Sequence, residues 1–276
     1  MTIPRSTLQA EFERTVEEYE HLLEFDDVSL SFAGVTALDE VSFSVDDNEL
    51  FAMIGPNGAG KTSAFNCLNG VYKPQEGDIR WKGESILGTR PDQIAELGIA
   101  RTFQNIELFP HMTVLENITL GRHIRTDTPW WNGALWLGAA RAEEMANRAF
   151  AEDLIDLLEI EQWRAYPVAL LPYGIQKRVE LGRALAMEPE LLLLDEPVAG
   201  MNLEETEDMA RFILDIREEL GISMILVDHD MGLVMDIADR VMVLDFGRVI
   251  ATGVPTEVQR HPDVIRAYLG AELESE

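Results

Sequence analysis

Apolar and polar residues alternate along three segments in the first third of the chain. The alternation runs over residues 28–32, over 41–45 and again over 79–81, where a turn at Gly83 follows. A period of two places alternate side chains on opposite faces of a strand. We therefore predict three strands of a sheet that is buried on one face and exposed on the other.

Uninterrupted apolar runs predict a second kind of strand. These runs are short, and helical patterns separate most of them. Short apolar runs that alternate with helices are typical of βαβ units, in which a parallel sheet is covered on both faces. The strands predicted in this way are Leu50–Ile54, Leu191–Leu194, Ile222–Val227 and Val241–Leu244, and a further strand is predicted over 99–103.

Helical patterns dominate the middle of the chain, over Thr113–Gly121 and Arg141–Ile160. Residues 6–23 also predict an amphipathic helix, which precedes the first strand. We therefore predict an α/β protein whose core is interrupted by a helical subdomain. The predicted organisation is an accessory helix over 1–23, a core over 24–104 and 189–252, a helical subdomain over 105–188 and a helical tail over 253–276.

The length and composition suit either one large α/β domain or a domain with an inserted subdomain. The chain has 276 residues, of which 46% are hydrophobic, yet no apolar run approaches the ~20 residues of a membrane helix. Charged residues follow the N-terminus where a signal peptide would be apolar. Cys67 is the only cysteine, so we expect a small buried thiol and no internal disulfide.

The chain is strongly acidic, with a formal net charge of −28. Nucleic-acid binding requires a basic face, so the charge argues against nucleic acid as a main partner. The acidic residues are spread along the chain, which indicates a solvated acidic surface and no specific cationic ligand.

The segment Gly55–Thr62 matches the phosphate-binding loop G-x-x-x-x-G-K-[ST] at every fixed position. It follows a predicted buried strand and opens a predicted helix, which is the context that the motif requires. Glycines let backbone N–H groups face phosphate oxygens, and the helix N-terminus adds partial positive charge. The alternative is a glycine-rich turn that binds nothing. The predicted nucleotide-binding residues are Gly55, Pro56, Asn57, Gly58, Ala59, Gly60, Lys61, Thr62 and Ser63, with Lys61 on the β- and γ-phosphates and the Thr62 hydroxyl on Mg²⁺.

Two adjacent carboxylates, Asp195 and Glu196, end another predicted strand. Ligands of α/β sheets bind at the carboxyl ends of the strands. An Asp there can hold Mg²⁺ through water, and a second carboxylate beside it can polarise an attacking water. The alternative is that both residues only start the helix that follows.

With both motifs in place, the chain resembles the ATP-binding subunits of ABC transporters over residues 24–270. The resemblance implies a RecA-like P-loop NTPase core with an antiparallel β subdomain and an inserted helical subdomain. It also implies an ATPase that uses ATP and Mg²⁺. The further roles that it implies are Phe32 stacking on adenine, Gln104 as the Q-loop residue that acts in catalysis and contacts the metal, Asp195 on the metal, Glu196 as catalytic base and His229 as switch histidine.

The family's signature motif, Leu-Ser-Gly-Gly-Gln, is altered in this chain. Gly174 is retained, but Tyr173 replaces the first glycine and Pro172 replaces the serine. Family behaviour implies that Tyr173 and Gly174 complete the nucleotide site of a second ATPase subunit. The Asp of the family's D-loop is likewise replaced, by Asn202. We therefore expect a heterodimer with unequal sites, while a homodimer stays open.

Four details most resemble the ATP-binding proteins of branched-chain amino-acid importers. They are Phe65–Gly70, Ala100–Asn105, the Tyr173-Gly174 variant and the tail His261–Gly270. The resemblance implies an amino-acid importer, with two permease subunits, an extracytoplasmic solute-binding protein and a peripheral position on the cytoplasmic face of the membrane. The alternatives are the ATPase of a lipopolysaccharide exporter, a soluble ABC ATPase and a regulatory module without turnover.

Three tryptophans, Trp130, Trp131 and Trp136, lie close together within the predicted helical subdomain. One interpretation is a hairpin or helix that packs these rings inward. The other is contact with a permease or with the membrane interface, where tryptophan is favoured.

Overall fold

The structure, a computed structural model, describes residues 8, 9, 12, 19–102, 106–125 and 139–274. Gln104 and the three tryptophans of 126–138 lie outside these residues, as does most of the helix predicted over 6–23. The predicted end of that helix is wrong, because residues 19–22 are not helical and Leu23 begins a strand. Leu8 and Phe12 are buried, and the Phe12 ring lies 6.2 Å from the ring of Phe150. Within the described part of the chain, each helix is too short or too polar to span a lipid bilayer.

The three alternating segments lie in one antiparallel sheet, as predicted, and a fourth, two-residue strand that was not predicted completes it. Its order is β2-β1-β4-β5, and its members are β1 (Leu23–Phe32), β2 (Val35–Val45), β4 (Glu76–Trp81) and β5 (Glu84–Ser85). Most apolar side chains of these strands are buried, whereas Phe32 and Val35 at the turn between β1 and β2 are exposed. A bulge in β1 at Asp27, where φ is +50°, keeps Val28 and Leu30 on the buried face.

The apolar runs form the second sheet, in the order β10-β9-β3-β8-β7-β6. Neighbouring strands from β9 to β6 are parallel, and β10 is an antiparallel edge strand. The strands are β3 (Leu50–Ile54), β6 (Ile99–Arg101), β7 (Leu191–Asp195), β8 (Ser223–Val227), β9 (Arg240–Asp245) and β10 (Arg248–Gly253).

Strand β3 explains why the central strands are apolar throughout. Leu50, Ala52 and Ile54 belong to the core on the helical side of the sheet, whereas Phe51 and Met53 belong to the core shared with the antiparallel sheet. Both faces are therefore buried, so neither face has positions for polar residues.

Helices cover the other face of the six-stranded sheet, where their apolar residues form one core with Leu50, Ala52 and Ile54. Their starts carry N-cap signals in several cases, as at Thr113, whose hydroxyl accepts from Glu116 N–H. The helices are α1 (Lys61–Leu68), α2 (Pro91–Glu96), α3 (Val114–Gly121), α4 (Ala139–Leu157), α5 (Tyr173–Leu185), α6 (Leu203–Leu220), α7 (Met231–Ile237), α8 (Pro255–Val258) and α9 (Pro262–Glu274).

Helices α3, α4 and α5 lie between strands β6 and β7 in the sequence and pack on one another in the structure. This arrangement confirms the predicted helical insertion. Two glycines allow this close packing. A Cβ at Gly121 would lie 2.3 Å from the Arg183 carbonyl oxygen, and one at Gly182 would lie 2.9 Å from Leu158 Cδ1. The observed class is thus the predicted α/β fold with an antiparallel sheet and a helical insertion.

Candidate functional site

The phosphate-binding loop joins the end of β3 to the start of α1. Gly55 and Gly60 have φ values of 152° and 111°, and both lie against backbone carbonyls. A Cβ at Gly55 would be 2.1 Å from Leu244 O, and one at Gly60 would be 2.6 Å from Ala37 O. A side chain at Gly55 would therefore displace the loop from β9, and one at Gly60 would displace it from β2.

The Lys61 side chain folds back into this loop. Its ammonium group donates to Gly55 O at 2.6 Å and to Pro56 O at 3.0 Å. Burial lowers the pKa of Lys61, while the charges of Glu196 and Asp195 act in the opposite direction. The loop thus holds one buried cation close to two carboxylates.

A cleft of about 330 Å³ lies over the loop. Glu196 and His229, which follow β7 and β8, form its other wall. These two strands are parallel neighbours with Asp195 opposite Val227, so their carboxyl ends meet beside α1. The lining residues are Ala37, Asn57, Gly58, Ala59, Gly60, Lys61, Thr62, Ser63, Glu196, Val227 and His229.

Glu196 has an unusual backbone conformation, with φ at +50°. Its N–H donates to Val227 O at 2.7 Å, which ties the turn after β7 to β8. The Glu196 Oε1 and His229 Nε2 atoms lie 2.5 Å apart. A left-handed conformation at a non-glycine residue is often found at functional sites. This carboxylate can take a proton from a water in the cleft, and the histidine holds its orientation.

Asp195 is buried behind the cleft and is bonded to residues that sequence analysis missed. Arg101 Nη2 donates to Asp195 Oδ2 at 2.5 Å, and Arg101 Nη1 donates to Asn66 Oδ1 at 2.9 Å. The available signal was a charged residue, Arg101, inside a strand of a buried sheet.

Asp228 is a second residue that sequence analysis missed. It is buried between the turns that follow β7 and β8, and this burial raises its pKa. Its Oδ1 accepts from Asp230 N–H at 2.9 Å, and the N–H groups of Val198 and His229 also face it. Asp228 therefore links the segment after Glu196 to the turn that carries His229.

Three of the predicted site residues lie elsewhere. Phe32 is 44% exposed at the end of β1, where its ring meets Tyr72 edge-on at 4.9 Å. Tyr173 and Gly174 form the first turn of α5, and a Cβ at Gly174 would lie 2.6 Å from Glu205 Oε1. None of the three lines the cleft.

The donor set in the cleft suits Mg²⁺ better than a transition metal. No cluster of three or more His, Cys, Asp or Glu side chains able to cage a metal occurs among the described residues. Mg²⁺ needs no such cage, because one or two protein oxygens and the phosphates of a substrate suffice. The Thr62 hydroxyl in the cleft and the Asp195 carboxylate behind it offer oxygen atoms of the kind that Mg²⁺ prefers.

Two family models match this chain. Residues 38–199 match the family model described as ABC transporter, and residues 248–274 match a second model, described as branched-chain amino acid ATP-binding cassette transporter. The first model spans the phosphate-binding loop and both Asp195 and Glu196.

Curated relatives match nearly end to end. The high-affinity branched-chain amino acid transport ATP-binding protein BraF of Pseudomonas aeruginosa is 39% identical, over 90% of this chain and 98% of the relative. LivG of Escherichia coli, which carries the same description, is also 39% identical with the same coverage. A probable LivG of Archaeoglobus fulgidus is 31% identical over 91% of this chain and 96% of the relative.

Solved structures agree on the fold. A nucleotide-free ATP-binding cassette from an ABC transporter superposes with a TM-score of 0.78 at 29% identity, covering 90% of this chain and 98% of the other. The ADP conformation of such a cassette gives a TM-score of 0.78 at 30% identity with the same coverage.

Proposed function

The chain belongs to the ATP-binding cassettes of ABC transporters, and from this membership we propose that it powers the uptake of branched-chain or related amino acids. It is an ATPase subunit of a transporter. The solute class rests on the relatives' names and on the match of residues 248–274 to the branched-chain amino acid family. The same matches favour an importer over a lipopolysaccharide exporter.

The observation that carries the proposed chemistry is the cleft that joins the phosphate-binding loop to Glu196 and His229. The loop and Lys61 bind the β- and γ-phosphates, and Thr62 and Asp195 would hold Mg²⁺, which when bound would neutralise negative charge on the phosphates. Glu196 accepts the proton of the attacking water, and His229 orients Glu196 across their 2.5 Å contact. Gln104, outside the described residues, keeps its proposed role beside the metal, and Phe32 its proposed role against adenine.

We further propose the assembly that this role requires. The subunit pairs with a second ATPase subunit, and the pair binds two permeases at the cytoplasmic face of the membrane. A solute-binding protein delivers the amino acid from the other side. Tyr173 is 40% exposed at the start of α5, which suits contact with a partner's nucleotide.

The altered signature favours a heterodimer. Pro172 is the N-cap residue of α5 and provides no side-chain hydrogen bond to the first turn, since proline has neither hydroxyl nor N–H. The partner's nucleotide would face this poorer donor set and turn over slowly. Inactivating Glu196 and the partner's equivalent glutamate one at a time should give unequal losses of activity. Equal losses in single-turnover measurements at each site would contradict the asymmetry of the two sites.

The test of the proposed function uses Glu196→Gln in the complex purified with its permeases. We expect the variant to bind ATP like the wild type and to hydrolyse it ~10²–10⁴-fold more slowly, because the general base is lost. Uptake of radiolabelled leucine into proteoliposomes should fall in parallel. Wild-type hydrolysis by the variant would disprove the role of Glu196, and ATP hydrolysis without amino-acid uptake would disprove the solute class.

A further inference from the structure

Arg101 is a buried cation directly behind the nucleotide cleft. It ends strand β6, next to β7, and its side chain is only 11% exposed. Burying a guanidinium is unfavourable unless its N–H groups are paired. The identity of its partners therefore indicates what the residue does.

The guanidinium joins three elements. One arm donates to Asp195 Oδ2 on β7, and the other donates to Asn66 Oδ1 on α1. The guanidinium also lies over the ring of Phe65, 5.4 Å from its centroid. Asn66 and Phe65 lie on the helix that follows the phosphate-binding loop, so Arg101 connects that helix to the Asp195 carboxylate at the end of β7.

Stability alone is a weak explanation for this arrangement. A buried ion pair is commonly no more stabilising than apolar residues of the same volume. Here the paired anion is Asp195, the carboxylate that the proposed function assigns to Mg²⁺. The guanidinium and the metal would therefore share one carboxylate. The guanidinium then affects both the orientation of that carboxylate and its affinity for the metal.

We propose that Arg101 is a positioning residue that fixes the orientation of the Asp195 carboxylate and, by its charge, weakens the binding of the divalent cation. The inference rests on the proposed function, in which Asp195 binds the metal. A fixed carboxylate speeds turnover. Residues that hydrogen-bond to a metal ligand typically contribute about 10–100-fold in metal affinity or activity. The charge acts in the opposite direction on the metal.

These two effects respond differently to substitution. Arg101→Met removes both the charge and the two donating arms. Arg101→Lys keeps the charge but has no planar fork to reach Asn66 and Asp195 together. Asn66→Ala keeps the guanidinium and its charge and removes only the second anchor, so it is the mildest variant and the one most certain to fold.

The experiment measures two quantities in the intact transporter complex. Mn²⁺ replaces Mg²⁺ as the probe, and its dissociation constant in the presence of a non-hydrolysable ATP analogue is read from the electron paramagnetic resonance of free Mn²⁺. The turnover number is measured separately with Mg²⁺-ATP. Thermal unfolding of each variant checks that the subunit is folded.

Arg101→Met should bind Mn²⁺ about tenfold more tightly, the size of effect that one nearby charge typically has. Its turnover number should nevertheless fall ~10–100-fold. Arg101→Lys and Asn66→Ala should keep the wild-type Mn²⁺ affinity and lose turnover. Tighter metal binding with slower turnover is a combination that a mere loss of structure would not produce.

Three results would overturn the inference. They are Mn²⁺ affinity in Arg101→Met that is equal to or weaker than that of the wild type, wild-type turnover in Arg101→Lys, and wild-type turnover in Asn66→Ala. If Arg101→Met does not fold, the other two variants decide. Failure of the proposed function is distinguishable, because then the wild-type complex itself would show no metal-dependent ATP hydrolysis.

Discussion

Lys61 shows how a single side chain is held ready at the cleft. Its ammonium group is bonded to two loop carbonyls and lies near Glu196 and Asp195, while burial favours its neutral form. The hydrogen bonds from Lys61 to the carbonyls of Gly55 and Pro56 therefore keep its positive charge at the place where a phosphate would bind.

We predict that Lys61→Met weakens ATP binding ~10–100-fold, because hydrogen bonds to a charged group contribute about 1.5–3 kcal/mol. Methionine keeps the length of the apolar stem, so the effect reports the ammonium group. Isothermal titration of the isolated subunit with ATP measures the affinity, and Lys61→Arg is the matched control that keeps a cation. Unchanged affinity in Lys61→Met would contradict the assigned role.

Cys67 gives a second prediction at this scale. Burial raises the pKa of its thiol to about 12, so almost no thiolate exists near pH 8. We expect the folded subunit to react with iodoacetamide far more slowly than the chain unfolded in guanidinium chloride. Equal rates, measured by mass spectrometry, would show that the thiol is accessible.

Residues in local motifs could be located from the sequence, and residues that act through distant partners could not. Lys61, Glu196 and His229 each follow a recognisable strand, and the structure gathers them around one cleft. Arg101 pairs with Asp195 across 94 residues and with Asn66 across 35. No periodicity in the sequence encodes those contacts, because they arise only when β6, β7 and α1 are assembled.

At the scale of the elements, the start of helix α6 is stabilised by one residue, Asn202, which belongs to the loop before it. Asn202 is its N-cap: its side chain accepts from Glu205 N–H at 3.0 Å, and the Glu205 carboxylate accepts from Asn202 N–H in return. The departure from the family's aspartate therefore leaves the cap intact, because Asn and Asp are equally good N-caps.

We predict that Asn202→Ala lowers the free energy of unfolding by about 1 kcal/mol, the usual value for loss of an N-cap. Asn202→Asp is the control, since it keeps the acceptor and should unfold like the wild type. Urea denaturation followed by circular dichroism measures both. An alanine variant as stable as the wild type would mean that the capping box contributes nothing here.

The existence of a helix or strand was easier to predict than the residue at which it ends. The helix predicted over Arg141–Ile160 ends at Leu157, because Glu159 adopts φ +55° and the chain turns there. Leu158 and Ile160 remain buried beyond the turn, so the apolar pattern continues after the helix has stopped. A hydrophobic pattern reports burial, and burial extends past the last helical hydrogen bond.

Charge acts at the scale of the whole molecule. With 50 acidic and 22 basic residues, the folded chain is compact and strongly self-repelling. Some ion pairs, such as Arg240 with Glu49, reduce the repulsion between carboxylates locally. Exposed pairs such as Arg90 with Asp92 contribute little to stability.

We therefore predict that added salt raises the melting temperature of the subunit. Raising NaCl from ~0.1 M to ~1 M shortens the Debye length from ~10 Å to ~3 Å and screens repulsion between surface carboxylates. Differential scanning calorimetry checks this, with KCl at the same ionic strength to exclude a specific effect of sodium. A melting temperature that falls with both salts would show that attractive ion pairs dominate.

The strand order of the central sheet has a consequence for how the subunit is made. The phosphate-binding loop follows β3, yet β3 is flanked by β8 and β9, and Asn48 N–H donates to the Ser223 hydroxyl 175 residues further along. The first motif to leave the ribosome is thus among the last to be supported by its neighbours. A chain that stops before β9 carries the complete loop sequence without the carbonyl of Leu244 against which Gly55 packs. ATP binding would then distinguish finished subunits from truncated ones, before any of them could occupy a place in the transporter.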